Sequence, residues 1–440
     1  MLSRRQFLAL GAVTVVAAAC SSDDDSASTT ASSDAASTTD ASGTEASTVP
    51  ATDAPTTTAA PTTEPPTTPA PTDVVTTTTL AGDEAAMAYT EAGPYPVGVT
   101  TIQLTAGPAV EIWYPAAEGT TGEVSYDVRD FVPESVRAVL TADVPATYTF
   151  AGARDAQVAD APDASFPIVL FSHGFSGMRL QSTFLTAHLA SWGFVVAAPD
   201  HASSDLANVL GGTASGDREE SVGDLLRTLD QVQILHLTDT LGWGDKIDDT
   251  RVVAVGHSAG GGTVVGAAMD DRIAAYVSLA SGLALGRGEE GATTTTIDPA
   301  AVPQRPSLFM AGSLDAVVPA ETVTIPSFEA AATPSWLWVI DGVGHNGFDD
   351  FCTFGNGTGI IGIAEASGLG PFLDAQPQLR TLGEDGCVAP AVPVEQTFPM
   401  VRHAVTAFIR HIVGIDGEPV GLGPDVAELY EVPVSISVRD

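Results

Sequence analysis

Basic residues are scarce in this chain. Its 440 residues include 17 lysines and arginines against 55 aspartates and glutamates, a net charge of −38, and none of the basic residues falls between Arg5 and Arg129. Phosphate recognition needs basic patches, so nucleic acid is excluded as a partner. Electrostatic docking on anionic lipid headgroups is excluded for the same reason. Large apolar residues are nearly missing from 21–84, a stretch of Ser, Thr, Ala, Pro and Asp such as "TTTAAPTTEPPTTPAPTD". Such a segment cannot bury enough surface to offset its ordering entropy, and we read it as a disordered tether. Its Ser/Thr-Pro bias permits O-glycosylation. The apolar stretch Phe7–Ala19 is too short for a comfortable transmembrane span. Cysteine is rarer still, with three in all: Cys20, Cys352 and Cys387.

What is present is informative at both ends. Arg4 and Arg5, the apolar stretch and "AAAC" form a secretory signal over 1–20. "SRRQFL" resembles a twin-arginine export signal, and "AAAC" resembles a lipobox, although Ala17 stands where leucine is more usual. The expectation is a protein exported and held at the membrane by a lipid on Cys20, the tether keeping a soluble domain away from the bilayer.

From 85 to 440 the texture is globular, with no internal repeats. "GVTTIQL" and "AVEIWYP" read as a hairpin. Short apolar runs at 166–174, 194–201, 251–258, 273–281, 306–315 and 335–345 read as strands. Between and after them, 181–193, 218–235, 259–270 and 399–414 read as helices. Apolar strands alternating with helices predict a mostly parallel sheet covered on both faces.

One stretch, "RVVAVGHSAGGGT" at 251–263, concentrates glycine where a buried strand ends. Strand, Gly-x-Ser-x-Gly and a small-residue helix make a nucleophile elbow, which holds Ser258 at the tip of a sharp turn facing a helix N-terminus. A serine needs a base. His257 is adjacent, but neighbours on an elbow diverge, so we expect it to pack inward. His345 after "LWVIDGVG" and Asp315 after "LFMAGSL" both fall at strand ends, where open α/β sheets place their sites. Alone, Asp315 also suits a helix N-cap and His345 a plain loop. The chain order Ser258, Asp315, His345 is the one used by the α/β-hydrolase fold, and Asp341 is a weaker alternative for the acid. The backbone amides of Ala259 and of Phe175 in "FSHGFSG" are the candidate oxyanion donors, the latter loop also suiting a plain strand-end turn.

With these stretches in view, the chain from about Gly93 resembles the α/β-hydrolases of the platelet-activating-factor acetylhydrolase and dienelactone-hydrolase-like group. It is also similar to bacterial cutinases and polyester hydrolases. The matching stretches are "GPYPVGVTTIQL", "VEIWYPA", "FPIVLFSHGFSG", "LASWGFVVAAPDH", "GHSAGGGT", "GSLDAVVP" and "GVGHNGFDD". The resemblance implies ester hydrolysis through an acyl-serine on Ser258, without metal or cofactor; a monomer is expected. Dienelactone hydrolases proper use cysteine, so their substrate is not carried over. A serine peptidase on the same fold and a non-catalytic surface-binding lipoprotein are the alternatives. Residues 351–398 are a long insertion relative to compact members. Few of its residues are large and apolar, so we expect a mobile loop, steadied by a Cys352–Cys387 disulfide that an exported domain favours.

Overall fold

The computed structural model describes residues 87–161, 165–283 and 297–440. The signal segment, Cys20 and the tether lie outside the described residues. Among the described residues twelve strands form two sheets: β1 (Val97–Gln103), β2 (Ala109–Pro115), β3 (Glu123–Asp127), β4 (Thr147–Ala151), β5 (Ala153–Arg154), β6 (Phe166–Ser172), β7 (Val195–Pro199), β8 (Ile247–His257), β9 (Ile273–Leu279), β10 (Ser307–Gly312), β11 (Ser335–Ile340) and β12 (Val434–Arg439). Ten of them make one sheet in the order β12-β11-β10-β9-β8-β6-β7-β2-β1-β5. From β7 through β11 every neighbouring pair is parallel. The β1–β2 hairpin, the β2–β7 pair and the closing β11–β12 pair are antiparallel. This is the mostly parallel sheet of the α/β-hydrolase fold.

The side-chain period of two divides each central strand between two cores. Ile168, Leu170, Val252 and Ala254 point to one face, where they meet Leu225, Leu229 and Val232 of the helix Arg218–Leu237 and Val264 of the helix Ala259–Ala267. Val169, Phe171, Val253 and Val255 point to the other, against Phe184 and Leu189 of the helix Thr183–Ser191 and Val401, Val405 and Phe408 of the helix Val394–Ile412. Every residue of β6 is buried, as expected for a strand covered on both sides. Asp217 caps the helix Arg218–Leu237 by accepting from the Glu219 amide, and Glu219 and Glu220 sit in its first turn, where the helix dipole favours negative charge.

The structure departs from the sequence reading at several places. The last long helix starts at Val394 and takes Pro399 inside it, because Val394, Phe398 and Met400 all find buried positions on the core face. The C-terminal segment adds the edge strand β12. The insertion is not an irregular loop: it contains the helices Gly359–Ala366, Gly370–Asp374 and Pro377–Glu384. Its residues Phe351, Phe354, Ile363 and Leu369 all join the core.

Candidate active site

The C-terminal ends of β6, β8, β10 and β11 converge on one locality. β8 ends at His257 and the helix begins at Ala259, leaving Ser258 alone in the turn with φ 55° and ψ −121°. A non-glycine residue held in that region is strained, and such strain persists where surrounding structure over-determines it. The flanking glycines are obligatory. A Cβ at 256 would stand 2.2 Å from the Gly260 carbonyl oxygen, and one at 260 would stand 2.1 Å from the Ser172 carbonyl oxygen.

The Ser258 Oγ lies 2.9 Å from Nε2 of His345, and Nδ1 of His345 lies 2.9 Å from Oδ2 of Asp315. A carboxylate only accepts, so Nδ1–H donates to Asp315 and Nε2 is left to accept the serine hydroxyl. The other Asp315 oxygen accepts the amides of Val317 and Val318 at 2.9 and 2.6 Å. These bonds fix the carboxylate and make Asp315 serve the turn as well. All three side chains are buried, Ser258 retaining 7% exposure. Burial alone would lower the His345 pKa. The hydrogen bond and charge of Asp315, with the charges of Asp349 and Asp385, outweigh it and leave His345 above its ordinary value of 6.5. Asp341 does not enter the site; its carboxylate accepts the Ser313 hydroxyl at 2.8 Å.

His257 points inward, as expected. Its Nε2–H donates to the His345 carbonyl at 3.1 Å, and its Nδ1 accepts from the Gln181 side-chain amide at 3.0 Å. Burial, then the nearby His345, push its pKa well below 6.5, so it is a neutral strut rather than a base. Its 3.5 Å approach to Asp349 is therefore no ion pair. Burial pushes the Asp349 carboxyl up to about 7.

Two residues that the sequence reading missed hold this arrangement. Gln181 precedes the helix Thr183–Ser191 instead of starting it. Its amide nitrogen donates to Asp349 at 2.8 Å, while its oxygen accepts the Gly174 amide at 2.6 Å. It thus ties the loop after β6 to the groups behind His345. That loop abuts the nucleophile: a Cβ on Gly174 would lie 3.2 Å from the Ser258 Cβ. Neither the Phe175 nor the Ala259 amide donates to an acceptor among the described residues.

The second is Asp385, in the insertion. It accepts the His345 amide through Oδ1 at 2.8 Å and the Ala316 amide through Oδ2 at 2.9 Å. Its own carbonyl receives the Asn346 amide at 2.8 Å. Two residues later Cys387 is bonded to Cys352, with an S–S distance of 2.06 Å. The signal that could have found Asp385 is its position beside that cysteine, given that the bridge was expected to steady the histidine loop. No group of three or more His, Cys, Asp or Glu side chains is arranged to hold a metal ion among the described residues.

Residues 92–220 match the family model described as platelet-activating factor acetylhydrolase, isoform II. The matched stretch runs from β1 through β7 and includes the Phe175 loop; Ser258, Asp315 and His345 follow it in the chain. The match supports an ester hydrolase of this α/β-hydrolase group. No curated protein matches the chain.

Proposed function

We propose that this protein is a serine esterase working through an acyl-enzyme on Ser258. The observation that carries the reading is the continuous Asp315–His345–Ser258 chain of hydrogen bonds, 2.9 Å at each link, seated on a strained elbow. His345 takes the serine proton at Nε2 as Oγ bonds to the ester carbonyl carbon, and the carbonyl electron pair moves onto oxygen. Asp315 holds the imidazole in the required tautomer and stabilises the imidazolium without taking its proton. The amides of Ala259 and Phe175 receive the oxyanion; one such donor contributes on the order of 10²–10³ in turnover. When the oxyanion collapses, the C–O bond to the alcohol breaks and His345 protonates the departing oxygen. Water, deprotonated by the same nitrogen, then attacks the acyl-serine. The acid leaves and Ser258 regains its proton.

The family match favours an ester over a peptide as substrate. A fluorophosphonate probe tests the nucleophile: it should label the protein once, on Ser258, and leave Ser258→Ala unlabelled. Labelling elsewhere, with Ser258 untouched, would sink the assignment.

We also propose export and lipid attachment at Cys20. The support is the order of Arg4, Arg5, the apolar stretch and "AAAC". Among the described residues no helix is long and apolar enough to cross a membrane. Mass spectrometry of the mature N-terminus decides the point, and an unmodified terminus beyond Cys20 refutes the anchor.

A further inference from the structure

Gln181 is buried, and both polar atoms of its side chain meet partners. Its oxygen faces the Gly174 amide, which can only donate. Its nitrogen therefore faces Asp349 and the ring of His257, and directs one hydrogen to each. That arrangement fixes the next link. His257 accepts at Nδ1, so its proton sits on Nε2 and points at the His345 carbonyl. The backbone adds a second tie, the Gln181 carbonyl accepting the Asp350 amide at 2.8 Å.

Gly174 is where this side chain bears on the chemistry. Glycine is free to rotate about both of its backbone bonds, so its two flanking peptides need outside partners to hold them. The Gly174 carbonyl and the Phe175 N–H belong to one peptide, and a trans peptide points the two in opposite directions. That carbonyl accepts the Gly177 amide at 3.0 Å and the Nδ1–H of His173 at 2.8 Å. The His173 proton stays on Nδ1 because Nε2 accepts the His201 amide at 3.0 Å. The preceding peptide is held by Gln181 alone among side chains, 2.6 Å from the Gly174 nitrogen. With both peptides held, the Phe175 amide has one direction left, away from the Gly174 carbonyl.

We propose that Gln181 is a positioning residue for the oxyanion hole: it holds Gly174 so that the Phe175 amide stays aimed at the ester oxygen, and it locks that loop to the loop of His345. The inference rests on ester hydrolysis at Ser258. The amide matters most when charge develops on the oxygen, in the transition state, so the effect belongs in kcat rather than KM.

Gln181→Met and Gln181→Glu test the role in p-nitrophenyl ester turnover, with thermal melting to show that each is folded at every pH used. Gln181→Met keeps the length and removes both polar atoms. Its kcat should fall about a hundredfold, the scale of a misplaced reacting group, with KM little changed. Gln181→Glu keeps an acceptor for Gly174 but sets a second oxygen against Asp349. The titratable groups facing that oxygen are Asp349 and His257, with His173, His345 and Asp350 behind them. Two carboxyls so close share one proton, which stands in for the amide hydrogen toward Asp349. Once that proton is lost, two carboxylates repel across the link. The kcat of Gln181→Glu relative to wild type should therefore fall about tenfold as pH rises from acid to alkaline. A side chain that only filled space would leave that ratio flat. The ratio is read within one folded variant, so it carries the test if Gln181→Met does not fold. Wild-type kcat in folded Gln181→Met, a loss confined to KM, or a flat ratio overturns the positioning role alone. A wild-type protein that cleaves no ester and takes no fluorophosphonate refutes the esterase reading, and this inference with it.

Discussion

Asp385 fastens His345 to the acid loop: one carboxylate oxygen accepts the His345 amide at 2.8 Å, and the other accepts the amide of Ala316, next to Asp315, at 2.9 Å. One side chain from the insertion thus sets the distance between the loops that carry the base and its partner. Asp385→Asn keeps the size, removes the charge and leaves a single acceptor. We expect kcat to fall about tenfold, the equivalent of one hydrogen bond to a charged group. The pH profile carries the distinguishing sign. His345 must be neutral to accept the serine proton, so activity rises with pH through its pKa. The Asp385 charge is among those that raise that pKa. The acidic limb of kcat/KM should therefore move to lower pH in Asp385→Asn. An unmoved limb would leave Asp385 a purely structural clamp.

The disulfide should matter to turnover as well as to stability. It joins positions 35 apart in sequence and ends two residues from Asp385. Closing such a loop contributes about 4 kcal/mol in the chain-entropy treatment. Cys352→Ser with Cys387→Ser should fold but melt lower, and reduction of the wild type should lower turnover below the melting transition. Unchanged melting and turnover after complete reduction would remove the role given to the bridge.

The elbow makes a sharp steric prediction. Gly260→Ala places a methyl group where the Ser172 carbonyl oxygen stands, 2.1 Å away, and backbone on both sides leaves little room to yield. A loss of at least about 3 kcal/mol is expected in denaturant unfolding. Gly417→Ala, with nothing within 4 Å of the added atom, is the control and should stay within about 0.5 kcal/mol of wild type. Equal stabilities would contradict the packing of the helix Ala259–Ala267 against β6.

His257 and His345 should separate cleanly. His257→Ala removes one hydrogen bond to the His345 carbonyl and a ring packed 4.8 Å from the His345 ring. About a tenfold drop in kcat follows from the hydrogen bond. His345→Ala removes the proton acceptor itself. If the two variants were equally impaired in kcat, the base assignment would be in doubt.

Much of the site was legible in the sequence because its parts leave local marks. Gly256 and Gly260 announce a turn that only glycine fits, and Asp315 and His345 fall at the ends of apolar strand runs in a recognisable order. The disulfide followed from two cysteines flanking one insertion. Gln181 left no such mark, and Asp385 only its place two residues before Cys387. Asp385 is one carboxylate in a chain with 55 acids, and its partner His345 is 40 positions away. Gln181 sits 76 positions from His257, where a helix start looked sufficient reason for it. The insertion was misread because its glycines suggest a loop, while its fold depends on where Phe351, Ile363 and Leu369 point. Strand β12 was missed because it is an edge strand with no buried run: none of its residues is buried, and its place is set by pairing with β11.

The central claim is that Ser258, His345 and Asp315 act as one catalytic unit. Its most direct measurement is p-nitrophenyl ester turnover by the wild type, Ser258→Ala, His345→Ala and the double variant, all shown to be folded by thermal melting. Each single variant should lose on the order of 10⁶ in kcat, and the double variant should be hardly worse, because members of a unit do not contribute independently. Near-wild-type turnover in folded Ser258→Ala, or losses that multiply in the double variant, would contradict the account.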